Sequence, residues 1–240
     1  MLFARTCYFS LAIVCTLWLA GETIAQSDWQ PIPPRLALVE VYYHSNVAAE
    51  NSLLSTVEAF AEKHGGIRVV ARDLVENPKN AERLAQVLQH YKLPPETEPA
   101  IYGCNQVLSN FKSDDSLQAR LEQMFRYDVY SRAGCHRCDE AKELLPGFLE
   151  QYPAFRLRIR DVGTDPQALA DLNRLLELEK HGGASTPAMH VCNQLLIGFD
   201  RTNATPERLH KTLKRWTVPA KTDSATEPPR VSEVTDQFPF

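Results

Sequence analysis

Pro99-Ala100-Ile101-Tyr102-Gly103-Cys104-Asn105-Gln106-Val107-Leu108 returns as Pro187-Ala188-Met189-His190-Val191-Cys192-Asn193-Gln194-Leu195-Leu196. The offset from Pro99 to Pro187 is 88, and the same offset pairs other positions without a gap. Phe111 falls on Phe199, Val41-Tyr42 on Val129-Tyr130, Arg72-Asp73 on Arg160-Asp161, Pro78 on Pro166, and Leu84 and Leu88 on Leu172 and Leu176. Chance does not align so many positions ungapped. The chain therefore reads as two copies of one domain, 36–123 and 124–216, a tandem pair rather than a solenoid, which needs three or more units.

Each copy reads alike. In the second, Tyr127 to Ser131 is a short β-rich run, and Cys138 to Gln151 carries Ala141, Leu144, Leu145 and Phe148 at a helical period, with Pro146 expected to kink or end that helix early. Phe155 to Val162 alternates as a strand. Asp165-Pro166 supplies cap and first position for a helix through Leu169, Leu172, Leu175 and Leu176, and Gly182-Gly183 is expected to stop it. Ala188 to Val191 and Leu195 to Phe199 form two strands around a Cys192-Asn193-Gln194 turn, and Thr205-Pro206 opens a last helix to Trp216. The order is βαβαββα, an α/β class.

Composition bounds the partners. With 44% hydrophobic residues in 240, the chain has apolar material for a core or two, which rules out full-length disorder. Its net charge of −4 and the lack of a basic run argue against nucleic acid. At the amino terminus Arg5 precedes an apolar run from Tyr8 to Ala20, too short to span a membrane comfortably, and Thr23-Ile24-Ala25 offers small residues at the positions a secretory peptidase requires. Residues 1–25 are read as a signal peptide, an uncleaved anchor being the alternative, and cleavage would place the mature protein in the periplasm or outside the cell. Cleavage discards Cys7 and Cys15 and leaves Cys104, Cys135, Cys138 and Cys192. Gln26 to Arg35, with Pro31, Pro33 and Pro34, reads as an extended lead-in; 217–240, rich in Pro, Thr, Ser and Glu, reads as an unstructured tail.

The chemistry concentrates in Tyr130-Ser131-Arg132-Ala133-Gly134-Cys135-His136-Arg137-Cys138, a CxxC pair where a strand meets a helix. Free N–H groups and partial positive charge at a helix start favour a thiolate, and His136 and Arg137 add positive charge. The spacing lets a mixed disulfide on one sulfur be resolved by the other. The other readings are half of a zinc or copper site, for which no second CxxC or HxxxH is present, and a static bridge.

This stretch resembles the active-site segment of the glutaredoxins, within the thioredoxin superfamily, and the βαβαββα order is theirs. The resemblance implies two tandem thioredoxin-like domains, with Cys135 as exposed nucleophile and Cys138 as resolving thiol. It also implies a cis Pro187 that, with Thr186, docks an incoming peptide by a short β-augmentation. Ile197-Gly198-Phe199-Asp200 partly resembles the Gly-Gly-x-Asp segment that holds glutathione, but Phe199 stands where the second glycine belongs. The expectation is therefore an exported thiol:disulfide oxidoreductase with no cofactor beyond its own disulfide, glutathione dependence being the alternative. Its partners would be protein thiols or disulfides and a further redox partner, in solution or in a membrane. A binding module that docks partners or holds a metal is the rival class.

In the first copy Val47 and Glu50 occupy the CxxC positions, so it is expected to keep the fold without the redox pair. His44 lies near that lost site and reads as a surface residue. Cys104 and Cys192 hold equivalent turns and read either as buried free thiols, the expectation, or as a bridge between the copies. Asp73 and Asp161 are expected to turn the chain after their strands, with Arg72 and Arg160 as solvated neighbours. His190 reads as a strand residue and Asn203 as the start of a glycosylation sequon.

Overall fold

A run of apolar residues with little polar alternation belongs to a strand covered on both faces, and Arg35-Leu36-Ala37-Leu38-Val39-Glu40-Val41-Tyr42-Tyr43 is such a run. In the computed structural model it is β1 (Arg35–Tyr43), buried from Ala37 to Tyr42. The structure describes residues 33–111, 114–183, 185–200 and 205–220. The expected signal peptide, most of the lead-in, Asn203 of the sequon and the chain beyond 220 lie outside them.

After β1 come α1 (Ala48–His64), β2 (Ile67–Asp73), α2 (Pro78–His90), β3 (Ala100–Gly103), β4 (Gln106–Leu108) and α3 (Asp114–Met124). The second copy repeats the series as β5 (Arg126–Ser131), α4 (His136–Gln151), β6 (Arg156–Asp161), α5 (Pro166–Leu178), β7 (Ala188–Val191), β8 (Gln194–Ile197) and α6 (Thr205–Arg215), followed by β9 (Thr217–Pro219). Each copy builds its own sheet, in order β2-β1-β3-β4 and β6-β5-β7-β8. The first pair in each is parallel and the others antiparallel. This is the mixed α/β thioredoxin-like arrangement, present twice.

Local chemistry explains the helix starts. Asn77 and Asp165, each before a proline at the first helical position, accept from the N–H of Lys79 and Gln167. Pro146 lies inside α4 and does not end it. Leu145 and Phe148 are buried on either side of it, and their burial, roughly 1.5–3 kcal/mol each, offsets the cost of about 3 kcal/mol for an interior proline. Nor does Gly182 stop α5: the helix ends at Leu178, where Lys180 turns left-handed (φ 56°) and His181 N–H bonds back to the Leu176 carbonyl.

The two copies share one core. All described residues belong to a single compact unit from Pro33 onward, and one hydrophobic cluster runs from Leu38, Phe60 and Ile101 through Phe125, Tyr152 and Phe155 to Leu213 and Trp216. A smaller cluster under α5 joins Tyr130, Leu172, Leu176 and Ala188. At the seam His64 Nε2 donates to the Ala154 carbonyl at 2.8 Å, and Arg156 bonds the His64 carbonyl. Gly66 permits this approach: its φ is +70°, and a Cβ there would stand 2.5 Å from the Ala154 nitrogen.

Thr217, expected to open the tail, instead begins β9, which pairs antiparallel with residues 35–37 of β1. The strand is anchored by Leu38 N–H to Trp216 O at 2.9 Å and by Arg35, which donates to both the Thr217 hydroxyl (2.9 Å) and its carbonyl (2.6 Å). Without β9 the start of β1 would lack a partner beside β3, which reaches only residues 39–42.

Arg72 and Arg160 are not solvated. Both are nearly buried, because each has an acidic partner in reach: Glu40 for Arg72, and Asp171 and Asp165 for Arg160. Asp73 and Asp161 do turn the chain, accepting from the N–H of Val75 and of Gly163. Glu40 is fully buried and binds Arg72 at 2.5 Å, Arg83 at 3.1 Å and the Tyr42 hydroxyl at 2.9 Å. Its counterpart Asp128 pairs with Arg158 and Arg126, whose side chains are 44% and 37% exposed. Removing one member of a buried pair leaves the other charge uncompensated, at about 3–5 kcal/mol. Glu40→Ala should therefore lower unfolding stability by that amount and Asp128→Ala by clearly less, as read from urea midpoints; equal losses would contradict the assignment.

Candidate functional site

β5 ends at Ser131 and the chain reaches α4 through Arg132-Ala133-Gly134. Gly134 has φ +71°, a left-handed value strained for any residue with a Cβ, and this tight turn delivers Cys135 to the helix N-cap. Cys135 Sγ accepts the Cys138 N–H at 3.2 Å. The two cysteines are disulfide-bonded with Cα atoms 5.2 Å apart.

The sulfurs differ in access. Cys138, one turn into α4, is 0% exposed, whereas Cys135, expected as the exposed sulfur, is half-buried. What covers part of it is Thr186, whose carbonyl oxygen lies 3.8 Å from Cys135 Sγ and whose hydroxyl lies 3.9 Å from it. Thr186–Pro187 is a cis peptide, Pro187 is buried, and the Pro187 carbonyl accepts from Gly198 N–H at 2.8 Å. Residues 51 positions apart in sequence thus flank one sulfur: a helix N–H on one side, a threonine hydroxyl and carbonyl on the other. A thiolate on Cys135 would accept from both donors, and a thiol would donate to the carbonyl.

His136 and Arg137 are exposed. The His136 ring extends to Glu140, 3.3 Å away one turn on, so its positive charge when protonated is shared with a carboxylate. Phe199 is buried in the core, and His190 on β7 is half-buried, its pKa lowered mainly by burial.

The equivalent place in the first copy holds different chemistry. Val47 is the N-cap of α1 and makes no side-chain cap bond. Glu50, at the position of Cys138, accepts from the His44 backbone N–H at 2.7 Å and lies 3.0 Å from His44 Nδ1. His44 Nε2 is 3.4 Å from Glu98, the residue before a second cis proline, Pro99. An imidazole held between two carboxylates stands where the second copy has its sulfurs. His44 is therefore no lone surface residue. The signal available in the sequence was that Glu50 and Glu98 fall, by the repeat offset, on Cys138 and Thr186.

No family model matches the chain, and no curated protein matches it. Among solved structures, a thioredoxin-like protein carrying a threonine-to-alanine mutation is 28% identical over 36% of this chain and 92% of its own, with a TM-score of 0.26. The N-terminal domain of alkylhydroperoxide reductase AhpF from Enterococcus faecalis is 14% identical over 76% of this chain and 92% of its own, with a TM-score of 0.27. A mutant of the AhpF subunit from that organism gives 14%, 76%, 92% and 0.26. The thioredoxin-like fold of each copy rests on the strand order and directions given above, beside which these stand as likenesses only.

The geometry orders the two sulfurs by access. After reduction, iodoacetamide should alkylate Cys135 at least about tenfold faster than Cys138, because access and thiolate character both favour the first; faster labelling of Cys138, followed by peptide mass spectrometry, would reverse the roles.

Proposed function

We propose that the protein is an exported thiol:disulfide oxidoreductase that exchanges disulfides with protein substrates through Cys135 and Cys138. The observation that carries this reading is the asymmetry of the pair, one sulfur half-buried at a helix start beside Thr186 and the other fully buried one turn on. An attacking and a resolving thiol require that difference.

In the reducing direction, the Cys135 thiolate attacks one sulfur of a substrate disulfide, the substrate S–S bond breaks and one substrate thiolate leaves. Cys138 then gives up its proton and attacks the Cys135 sulfur, and the second substrate thiolate departs. The substrate gains two electrons and two protons, and the enzyme is left with its own disulfide. Reversing both steps oxidises a substrate dithiol. A second dithiol or disulfide protein returns the pair to its starting state.

Thr186, placed before the cis proline, positions the substrate chain through its backbone, while its hydroxyl steadies the Cys135 thiolate. His136 and Arg137 bias the couple towards the reduced thiolate form. Phe199, in place of the glycine that the glutathione-holding segment would require, supports protein substrates over glutathione. Export is supported by the short apolar run and its small-residue border at Ala25. The first copy has no thiol at Val47 or Glu50 and takes no part in exchange.

Cys138→Ser should accumulate mixed disulfides through Cys135 when mixed with a protein carrying disulfides, seen as reductant-sensitive adducts on a non-reducing gel. Cys135→Ser should give none. Adducts in Cys135→Ser, or their absence in Cys138→Ser, would overturn the assignment.

A further inference from the structure

Disulfide exchange at Cys135 and Cys138 leaves Cys104 and Cys192 unused. Each is the first residue of a two-residue turn, between β3 and β4 and between β7 and β8. In both turns the two central residues are left-handed: Cys104 φ 44° and Asn105 φ 58°, Cys192 φ 47° and Asn193 φ 52°. Asparagine suits such a turn; cysteine has no local hydrogen bond to offer it and bears the strain of a Cβ at positive φ. Strain at an equivalent position in both copies points to something the side chain does.

Hairpin tips ordinarily face water, yet these are buried, Cys104 at 0% and Cys192 at 2% exposure, in the core shared by the copies. The two turns lie together: both cysteines are free thiols in one buried cluster, Gln106 beside the first turn and Cys192 and Asn193 of the second line the same small cavity, and burial, helped by the neighbouring Cys104, raises the Cys192 pKa. A residue that meets its own repeat counterpart is the mark of an isologous contact. Packing alone does not call for sulfur at both tips. Among the described residues, no group of three or more His, Cys, Asp or Glu is arranged to hold a metal ion, so the contact comprises two sulfurs and no third ligand.

We propose that Cys104 and Cys192 close to a second disulfide that ties the β3–β4 turn of one copy to the β7–β8 turn of the other. The reaction takes a small organic disulfide as oxidant. The thiolate of one cysteine attacks it and releases one small thiolate; the thiolate of the other cysteine then displaces the second from the mixed disulfide. Two protein thiols are oxidised, one S–S bond of the oxidant is reduced, and the two protons lost end on two small thiols. In the folded protein burial raises the Cys192 pKa and holds the thiol neutral, so the bond forms while the seam is open, during folding, and once made is shielded from reductants. It is thereby insulated from the Cys135–Cys138 couple, whose first sulfur is accessible.

The test refolds the full chain from reduced denaturant in a buffer of oxidised and reduced glutathione. The product is treated under native conditions with enough dithiothreitol to reduce Cys135–Cys138, alkylated, and mapped without further reduction. The expected product is a Cys104-to-Cys192 crosslink that survives native reductant and opens only in denaturant. With Cys135→Ala and Cys138→Ala removing the other pair, oxidation should raise Tm by about 10 °C, given a closed loop of this length, and adding Cys104→Ala should abolish that rise. Two alkylated thiols at Cys104 and Cys192, a crosslink from either to Cys135 or Cys138, or an unchanged Tm on oxidation would each overturn the proposal. Mapping of the unsubstituted chain decides the question even if a variant fails to fold, and it is independent of the outcome of substrate trapping through Cys135.

Discussion

The pairing of β9 with β1 holds the two repeats in one body. The strand that follows the second copy pairs with the start of the first copy's central strand, and the backbone bonds at Leu38, Trp216, Pro34 and Ala220 fix that register. Around this seam the aromatic residues pack: Trp216 meets Tyr102 edge-on at 5.7 Å and Phe125 meets Phe155 at 6.2 Å. Burial of such rings is among the larger stabilising contributions available to a chain of this size. The consequence for function is positional. The second copy carries the Cys135–Cys138 pair, and the strand that follows it is held by the first.

The same fold hosts opposite chemistry at two equivalent places. A helix start facing a cis proline holds Cys135, Cys138 and Thr186 in one copy, and Val47, Glu50 and Glu98, with His44 between the carboxylates, in the other. The backbone is retained while the side chains are exchanged, which is how a fold separates from a function. The buried charges diverge in the same way. Glu40 with Arg72 and Arg83 is sealed in the first copy, whereas Asp128 in the second pairs with arginines at the surface.

Much of this was legible in the sequence. The ungapped repeat anticipated two sheets of one topology, and Asp165-Pro166 marked a helix start correctly because cap chemistry is local. So was the meeting of Cys135 with Thr186, the residue before the cis Pro187, through the resemblance of two separate motifs. What the sequence hid was non-local. Pro146 is tolerated because Leu145 and Phe148 are buried around it, and Arg72 is buried because Glu40 waits on the neighbouring strand in the core. Thr217–Pro219 reads as tail from composition, since only the open edge of β1 makes it a strand. His44 looked solitary because its partners Glu50 and Glu98 are brought to it by a helix start and a loop that are far apart in the chain.

One turnover assay tests the central claim, that a single sulfur pair in the second copy exchanges disulfides with proteins. The full chain is added to insulin and dithiothreitol, and the rate of insulin disulfide reduction is followed by turbidity. The account predicts acceleration over dithiothreitol alone that is lost in Cys135→Ser and unaffected by Val47→Ala in the first copy. No acceleration by the unsubstituted protein, or full acceleration by Cys135→Ser, would contradict it.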